Sequence, residues 1–321
     1  PVKDCGCFGD ALHLTNTETL IKNIVLLVCS LAIMYRPLAM FRFVSKSNQW
    51  IVTNYTIVFI LVSSGLSLYY LPIFDFRPYH IGVNIPRGME IPKGAKLPQF
   101  KTTFIMEKNG QRKEFTLDNY PDASWKFIDS KTVQTSEGYI PPIHDFSITD
   151  NKTGLDLTNS VLSHKGYTFL LIAPHLETAD DSNFGDIDRL YEYAQSYDIP
   201  FYCLTASTTK AIKRWVNLTG AEYPFCITDE AVLKTIIRSN PGLLLLKDGT
   251  IINKWSHNNL PNEAKLSRPI SQSSLGKMPK DSVPAKILEI VLWFILPLTL
   301  LTLADRLWAW SKWVRLKEQK D

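Results

Sequence analysis

The sequence predicts a protein in which α-helical membrane segments are joined to a folded α/β domain. Three apolar stretches, at residues 20–41, 51–74 and 285–304, have the length of about 20 residues that a helix needs to cross a bilayer core. Between the second and third stretch, short apolar segments alternate with segments of helical periodicity, a pattern typical of an α/β sheet. A net charge of only +4 in 321 residues gives no sign of nucleic-acid binding. The lipid bilayer is therefore the first predicted partner.

The three apolar stretches differ in their charged and helix-breaking residues. The second contains no charged side chain, whereas the first has Lys22 and Arg36 near its ends, where long cationic side chains can reach lipid headgroups. The third contains Pro297, which predicts a kink. Two alternatives stay open: a buried helical hairpin of a soluble protein for the first pair, and an amphipathic surface helix for the third.

Basic residues flank the predicted membrane helices on one side only. Arg36, Arg42 and Lys46 lie between the first two stretches, and a further group of Lys and Arg residues follows the third. The positive-inside rule places these flanks in the cytoplasm. Residues 75–284 and the N-terminal segment are then predicted to lie on the opposite side of the membrane.

The chain divides into successive predicted parts. They are a membrane part with two helices at 1–74, a linker and β-hairpin region at 75–141, an α/β domain at 142–257, a tether at 258–284, a membrane helix at 285–304 and a basic tail at 305–321. The linker is predicted from its many prolines. The hairpin is predicted from Asn109 and Gly110, the preferred residues of a two-residue turn between strands.

Within the α/β domain the elements alternate regularly. Strands are predicted at 167–173, 200–205 and 224–228, helices at 184–197, 208–218 and 229–238, and a final hairpin at 243–255. The strands are continuous apolar runs, which indicates a sheet that is buried on both faces.

Three segments of this domain resemble the thioredoxin-like fold of envelope-tethered, TlpA-like proteins. They are IHDFSITD at 143–150, GYTFLLIA at 166–173 and NPGLLLLKDG at 240–249. The resemblance implies a cis peptide bond before Pro241. Redox-active members carry a CxxC motif after the first buried strand, where a helix N-terminus stabilises a thiolate. Residues 174–181 contain no cysteine here, so the dithiol exchange chemistry of the fold is absent.

The segment that replaces the CxxC motif contains one histidine and three acidic residues. His175 is a candidate acid/base group, and the alternative is an ordinary surface or capping role. Glu177, Asp180 and Asp181 are predicted to favour the N-terminus of the following helix, where the helix dipole is positive.

The N-terminal segment has the sequence DCGCFGD at residues 4–10, followed by a polar loop and a membrane helix. With NQWIV at 48–52 and IFDFRPYHIG at 73–82, it resembles the Bacteroidota proteins that fuse a DoxX/MauE-like membrane domain to a thioredoxin-like domain. This resemblance covers nearly the full chain. It implies a Gram-negative inner membrane, residues 75–284 in the periplasm, a cytoplasmic C-terminus and further helices before residue 1. It implies no established reaction.

Cys5 and Cys7 are the predicted reactive residues of the chain. Gly6 permits the tight backbone of an i, i+2 disulfide, and strain in so small a ring makes it more oxidising. Three roles stay open: a redox pair, a structural disulfide or inert thiols, and a metal site completed by His13.

The other cysteines are predicted to pack as small apolar side chains. Cys29 lies within the first membrane stretch, and Cys203 and Cys226 lie in apolar strands. A disulfide between Cys203 and Cys226 is the alternative if their strands are neighbours.

Two functions follow from these observations. The first is a non-catalytic scaffold or binding subunit of an envelope complex with a protein partner and no cofactor, for which Tyr79, Tyr120 and Trp125 are candidate contacts. The second is a thiol-disulfide redox component that uses Cys5 and Cys7 with a periplasmic partner. The loss of the CxxC motif favours the first.

Overall fold

The computed structural model describes residues 4–5, 14–35, 44–45, 48–96, 99–108, 111–116, 119, 121–122, 124–136, 138–279 and 283–318. The chain forms two compact units, Pro1–Val83 together with Ser147–Asp321, and Asn84–Phe146. The elements in chain order are β1 (Asp4–Cys5), β2 (Leu14–Thr15), α1 (Asn16–Tyr35), α2 (Gln49–Tyr69), α3 (Ile85–Met89), β3 (Gln99–Lys108), β4 (Gln111–Thr116), β5 (Lys126–Ser136), β6 (Thr149–Asp150), α4 (Thr158–Leu162), β7 (Tyr167–Ile172), α5 (Phe184–Ser196), β8 (Phe201–Thr205), α6 (Thr209–Thr219), β9 (Phe225–Ile227), α7 (Glu230–Ile236), β10 (Gly242–Lys247), β11 (Thr250–Ser256), α8 (Glu263–Leu266) and α9 (Val283–Glu318).

Three helices are long and apolar enough to cross a membrane: Asn16–Tyr35, Gln49–Tyr69 and Val283–Leu316. None of their apolar windows is buried inside the protein, so these surfaces need lipid or another protein to cover them. Residues 36–41 of the first predicted stretch lie outside the described residues.

Helices α2 and α9 run antiparallel along each other. The Tyr55 hydroxyl donates a 2.7 Å hydrogen bond to the Trp293 carbonyl, and the Phe59 and Phe294 rings lie 4.9 Å apart. At the start of α2, the carboxylate of Asp305 accepts hydrogen bonds from the Ser45 backbone and hydroxyl, both 2.7 Å, and from the Asn48 amide at 2.6 Å. Asp305 therefore joins the chain before α2 to α9.

Helix α9 extends beyond the third predicted membrane stretch. The sequence predicts that it ends at residue 304, before Asp305, but α9 continues to Glu318 with Pro297 inside it. Leucine and tryptophan side chains recur between the basic residues of the predicted tail, so the apolar pattern of the helix continues there. Hydrogen bonds to the Asp305 carboxylate compensate the burial of its charge, so Asp305 does not end the helix. The helix therefore continues through the predicted basic tail, and the end of the membrane stretch at residue 304 stays a prediction.

The unit Asn84–Phe146 contains a three-stranded antiparallel sheet in the order β4-β3-β5. Lys108 lies opposite Gln111 in the register of β3 and β4, and the predicted turn at Asn109 and Gly110 lies outside the described residues. Trp125 packs edge-on against Phe115, with ring centroids 4.9 Å apart. Trp125 is therefore half-buried within its own unit, and its role as a contact for a partner stays a prediction.

The α/β domain contains a six-stranded sheet in the order β11-β10-β7-β8-β9-β6. β7, β8 and β9 are parallel, whereas β10 runs antiparallel to β7 and forms a hairpin with β11. β7 and β8 are connected by α5, and β8 and β9 by α6. The predicted strands and helices of this domain all form, with bounds within a few residues of those expected.

Local sequence fixes the ends of the helices in this domain. The Thr208 hydroxyl accepts a hydrogen bond from the Ala211 backbone at the start of α6, and Gly220 ends the helix with a φ of 75° that favours glycine. Asp229 caps α7 in the same way. The core lies between the sheet and the helices and includes Phe169, Leu190 and Trp215.

Candidate functional site

The turn that follows β7 is the position to which the resemblance described above assigns the CxxC motif of redox-active thioredoxin-like proteins. Leu176–Thr178 forms a single 3₁₀ turn, and Leu176 is buried. The Ser207 hydroxyl accepts a 2.8 Å hydrogen bond from the Leu176 backbone and donates a 2.7 Å hydrogen bond to the Glu177 carboxylate. This bond from Ser207 lowers the pKa of Glu177 below its usual range. The turn is therefore held by an oxygen network with no thiol.

The acidic residues of this turn do not serve the next helix as predicted. α5 begins at Phe184, and the acidic residue of its first turn is Asp186. Asp180 instead accepts hydrogen bonds from the Ser182 backbone and hydroxyl, which lower the pKa of Asp180. Asp181 is exposed. The start of α5 at Phe184 agrees with the predicted helix at 184–197.

His175 is held by α7. Its Nε2 atom lies 3.0 Å from the Glu230 carboxylate, which also pairs with Lys234. Both contacts lower the pKa of Glu230, the contact with Lys234 more strongly. No serine, threonine or cysteine of the described chain is hydrogen-bonded to the His175 ring, so the geometry favours the surface role over the acid/base role.

A serine, a histidine and an aspartate lie in a row beside Pro241. The peptide bond between Asn240 and Pro241 is cis. The Ser239 hydroxyl is 2.8 Å from Nδ1 of His257, whose Nε2 is 3.5 Å from the Asp180 carboxylate. However, Ser239 is 8% exposed and also contacts the Pro241 carbonyl and the Ser256 hydroxyl. The Ser239 hydroxyl is already hydrogen-bonded to groups of the fold itself, which favours a structural role for the row.

The two cysteines of the α/β domain are fully buried and free. β8 and β9 are neighbours, but Cys203 lies opposite Phe225 and Cys226 lies opposite Leu204. Successive strand residues point to opposite faces, so the two thiols lie on different faces of the sheet and do not form the alternative disulfide. Burial raises the pKa of both thiols, that of Cys226 to about 11.

Cys5 forms one residue of β1 and lies opposite Leu14 of β2, directly before α1. Cys7 and His13 lie outside the described residues. Cys29 lies in α1 and is exposed, so the prediction that it packs within the protein is wrong for the described part of the chain. Within the described part of the chain, no group of three or more His, Cys, Asp or Glu residues could hold a metal ion.

A small groove adjoins the turn that lacks thiols. It has a volume of about 150 Å³ and lies between the turn, at Leu176 and Ala179, and α6, at Arg214 and Leu218. Leu218 is 60% exposed, a high value for a leucine on an otherwise amphipathic helix. The groove combines apolar walls with a cation and two carboxylates, a composition that suits a polypeptide segment.

A buried charge cluster joins the end of α2 to the sheet, and sequence reasoning missed it. The Lys254 ammonium, 3% exposed, lies 2.8 Å from the Asp75 carboxylate and donates hydrogen bonds to the carbonyls of Tyr79 and Ile236. Asp75 also binds Arg77 at 2.7 Å. The available signal was Lys254 itself, a charge within an apolar strand.

Burial and pairing oppose each other in this cluster. Burial alone would raise the pKa of Asp75, but the hydrogen bond from Arg77 and the charge of Lys254 outweigh it and lower the pKa. Burial lowers the pKa of Lys254, and Asp75 only partly compensates. Tyr79 is 4% exposed, so the prediction that it is a free contact is wrong, and Tyr120 lies outside the described residues.

The sheet also caps the end of the second membrane helix. The Tyr69 carbonyl in the last turn of α2 accepts hydrogen bonds from the Ser256 hydroxyl at 3.2 Å and from the Asn258 amide at 2.7 Å. Carbonyls at a helix C-terminus have no partner within the helix, so these bonds attach the α/β domain to α2.

These features define a chain that has a thioredoxin-like α/β domain and, among its described residues, three helices that could span a membrane. The thioredoxin domain of a thiol-disulfide oxidoreductase from Bacteroides vulgatus is similar, with 11% identity, a TM-score of 0.28 and coverage of 34% of this chain and 81% of that one. A thioredoxin-like protein from Aeropyrum pernix is also similar, with 12% identity, a TM-score of 0.30 and coverage of 36% and 83%. The fold assignment rests on the strand order and connections, since each likeness spans about a third of the chain.

Two further comparisons concern the sequence. A family model described as "Domain of unknown function (DUF8463)" matches residues 100–137, which include most of β3 and the whole of β4 and β5. Comparison with curated proteins finds no match.

Proposed function

We propose that this protein is a non-catalytic binding subunit of an envelope complex, anchored in a bacterial inner membrane with its α/β domain in the periplasm. One observation carries the proposal: the turn after β7 has no cysteine and is held by the Ser207 and Glu177 network instead. The remaining thiols of the domain, Cys203 and Cys226, are buried with raised pKa values. A fold without its chemistry retains a surface for binding.

The proposed orientation is supported by charge. α2 ends and α9 begins on the same side of the proposed membrane because the two helices are antiparallel and contact each other through Tyr55 and Trp293. The basic residues at 36–46 and after residue 305 belong to the opposite side, which the positive-inside rule assigns to the cytoplasm.

Labelling with a maleimide that cannot cross membranes tests the orientation in intact cells with a permeable outer membrane. All five cysteines are replaced, and one is introduced either by Ser267→Cys, on an exposed part of the tether, or by Arg315→Cys, near the end of α9. We expect labelling of the first variant only. Labelling of the second variant alone means that the orientation is reversed.

The proposed partner is a protein, and the groove between the turn and α6 is its proposed contact. Copurification in a mild detergent tests this, with Leu218→Asp as the disrupting variant and Lys213→Glu as a control on an exposed position of the same helix. We expect the partner to be lost only from the Leu218 variant. Recovery of this protein alone across growth conditions contradicts a binding role.

Cys5 and Cys7 support a second candidate function. The spacing of the two cysteines and the position of Cys5 in β1, beside the start of α1, favour a redox pair near the membrane surface. In that role an oxidised pair accepts two electrons and two protons from a partner dithiol through a mixed disulfide, which leaves the partner oxidised. If Cys5→Ser/Cys7→Ser leaves the thiol state of periplasmic proteins unchanged, this function is excluded.

A further inference from the structure

A cavity of about 400 Å³ lies where α2 ends and α9 begins. Its walls come from the chain that follows α2, from Lys254 of β11 and from the first turn of α9. Because both helices are candidate membrane spans, this cavity lies at the level where a bilayer meets water. Tyr70 and Phe74 also line the cavity, as expected at a membrane interface.

The cavity carries an excess of positive charge. Among the described residues, Arg77, Lys254 and Lys286 line it together with a single carboxylate, Asp75. Asp75 is already shared by Arg77 and Lys254, so it cannot neutralise both. Lys286 is half-buried and forms no ion pair within the described chain, and His80 adds a ring nitrogen to the same wall. An anion that enters this cavity gains charge pairing that the protein does not supply.

An apolar groove continues from this cavity between α2 and α9. It has a volume of about 500 Å³, and its walls include Phe59, Leu66 and Trp293. Ile73 and Lys286 line both spaces, so the ammonium of Lys286 lies where the polar cavity meets the apolar groove. Glu289 is the one carboxylate that lines the groove. A ligand that fills both spaces needs an anionic head and an apolar chain.

We propose that this cavity and groove bind an anionic glycerophospholipid. Its phosphate pairs with Lys286 and His80 beside the Arg77 and Lys254 cluster, and one acyl chain lies along the groove between α2 and α9. A basic pocket between membrane helices is a known form of lipid recognition. The same cluster attaches the α/β domain to α2, so the lipid would occupy the junction between domain and membrane.

Native mass spectrometry of the full chain in detergent tests the proposal. Phosphatidylglycerol, phosphatidylcholine with the same acyl chains, and glycerol 3-phosphate are titrated separately. We expect one phosphatidylglycerol to bind at least about tenfold more tightly than phosphatidylcholine, and glycerol 3-phosphate not to bind in the same range. Equal binding of the two lipids overturns the proposal. If glycerol 3-phosphate displaces phosphatidylglycerol completely, the cavity binds a soluble phosphate compound instead of a lipid.

Variants assign the binding to these residues. Lys286→Gln should weaken phosphatidylglycerol binding about tenfold, Lys286→Arg should restore it, and Glu289→Gln should strengthen it because a repelling carboxylate is removed. Lys312 lies over the Trp308 ring in the far part of α9. Lys312→Gln is therefore the matched control and should leave phosphatidylglycerol binding unchanged. Loss of lipid preference from Lys312→Gln but not from Lys286→Gln contradicts the site. The maleimide orientation test is independent of this result, so failure of one does not decide the other.

Discussion

Replacing Asp75 with asparagine should strongly destabilise the α/β domain. The change removes the carboxylate from Lys254, whose ammonium is 3% exposed and retains only the carbonyls of Tyr79 and Ile236 as partners. Breaking a buried ion pair by removing one partner costs roughly 3–5 kcal/mol, because the remaining charge is desolvated and unpaired. Arg77 loses the same carboxylate and adds its positive charge to the cluster.

Lys254→Met should cost less than Asp75→Asn. In that variant Asp75 keeps Arg77 at 2.7 Å, and the methionine fills most of the volume of the lysine stem. The double variant should be more stable than the sum of the single effects predicts, by about 1–3 kcal/mol, because the two side chains contact each other. The three variants therefore form a cycle that measures this contact.

Denaturant unfolding of the full chain in detergent, followed by pulse proteolysis, gives the free energy of unfolding for each variant. Asp181→Asn, at an exposed position of the turn after β7, is the matched control and should change stability by less than about 0.5 kcal/mol. If Asp75→Asn costs less than about 1 kcal/mol, or if the cycle is additive, the cluster does not hold the domain to α2 as described.

Three further predictions concern pH, the membrane helices and the thiols. The folded-state pKa of Asp75 lies below its unfolded value of about 4, so the stabilisation by Asp75 is present above that pH and is lost as the pH falls through the folded pKa. Asp75→Asn should therefore weaken the loss of stability at acid pH, measured as the free energy of unfolding against pH. An unchanged acid-dependent loss contradicts this. Asp305→Ala should lower the melting temperature in detergent, because the Ser45 and Asn48 donors lose a charged acceptor. Cys203 and Cys226 should react with thiol reagents only after unfolding, as measured by intact mass, and labelling of the native protein would contradict their burial.

The sequence predicted the α/β domain well because its signals are local. Continuous apolar strands indicate a sheet buried on both faces, and capping residues such as Thr208 and Asp229 mark helix starts. The absence of cysteine after β7 is also readable directly from the sequence, and it sets the main functional conclusion.

The remaining features depend on residues far apart in the chain. Asp75 and Lys254 are separated by 179 residues, and Ser45 and Asp305 by 260, so no local pattern indicates that they meet. Tyr79 was predicted to be exposed because the surrounding prolines indicate a linker, but Tyr79 is buried and its carbonyl is bound by Lys254 of the sheet. The available signal for these contacts was a charged residue within an apolar strand or at the end of a membrane helix.

The most direct test of the account is turnover of a disulfide substrate. The full chain is purified in detergent and assayed for dithiothreitol-driven reduction of insulin, beside the variant Cys5→Ser/Cys7→Ser and a redox-active thioredoxin as positive control. If the chain is a binding subunit without dithiol chemistry, the wild-type chain and the variant both reduce insulin no faster than dithiothreitol alone. Turnover by the wild-type chain that disappears in the variant contradicts the non-catalytic role and assigns the activity to Cys5 and Cys7.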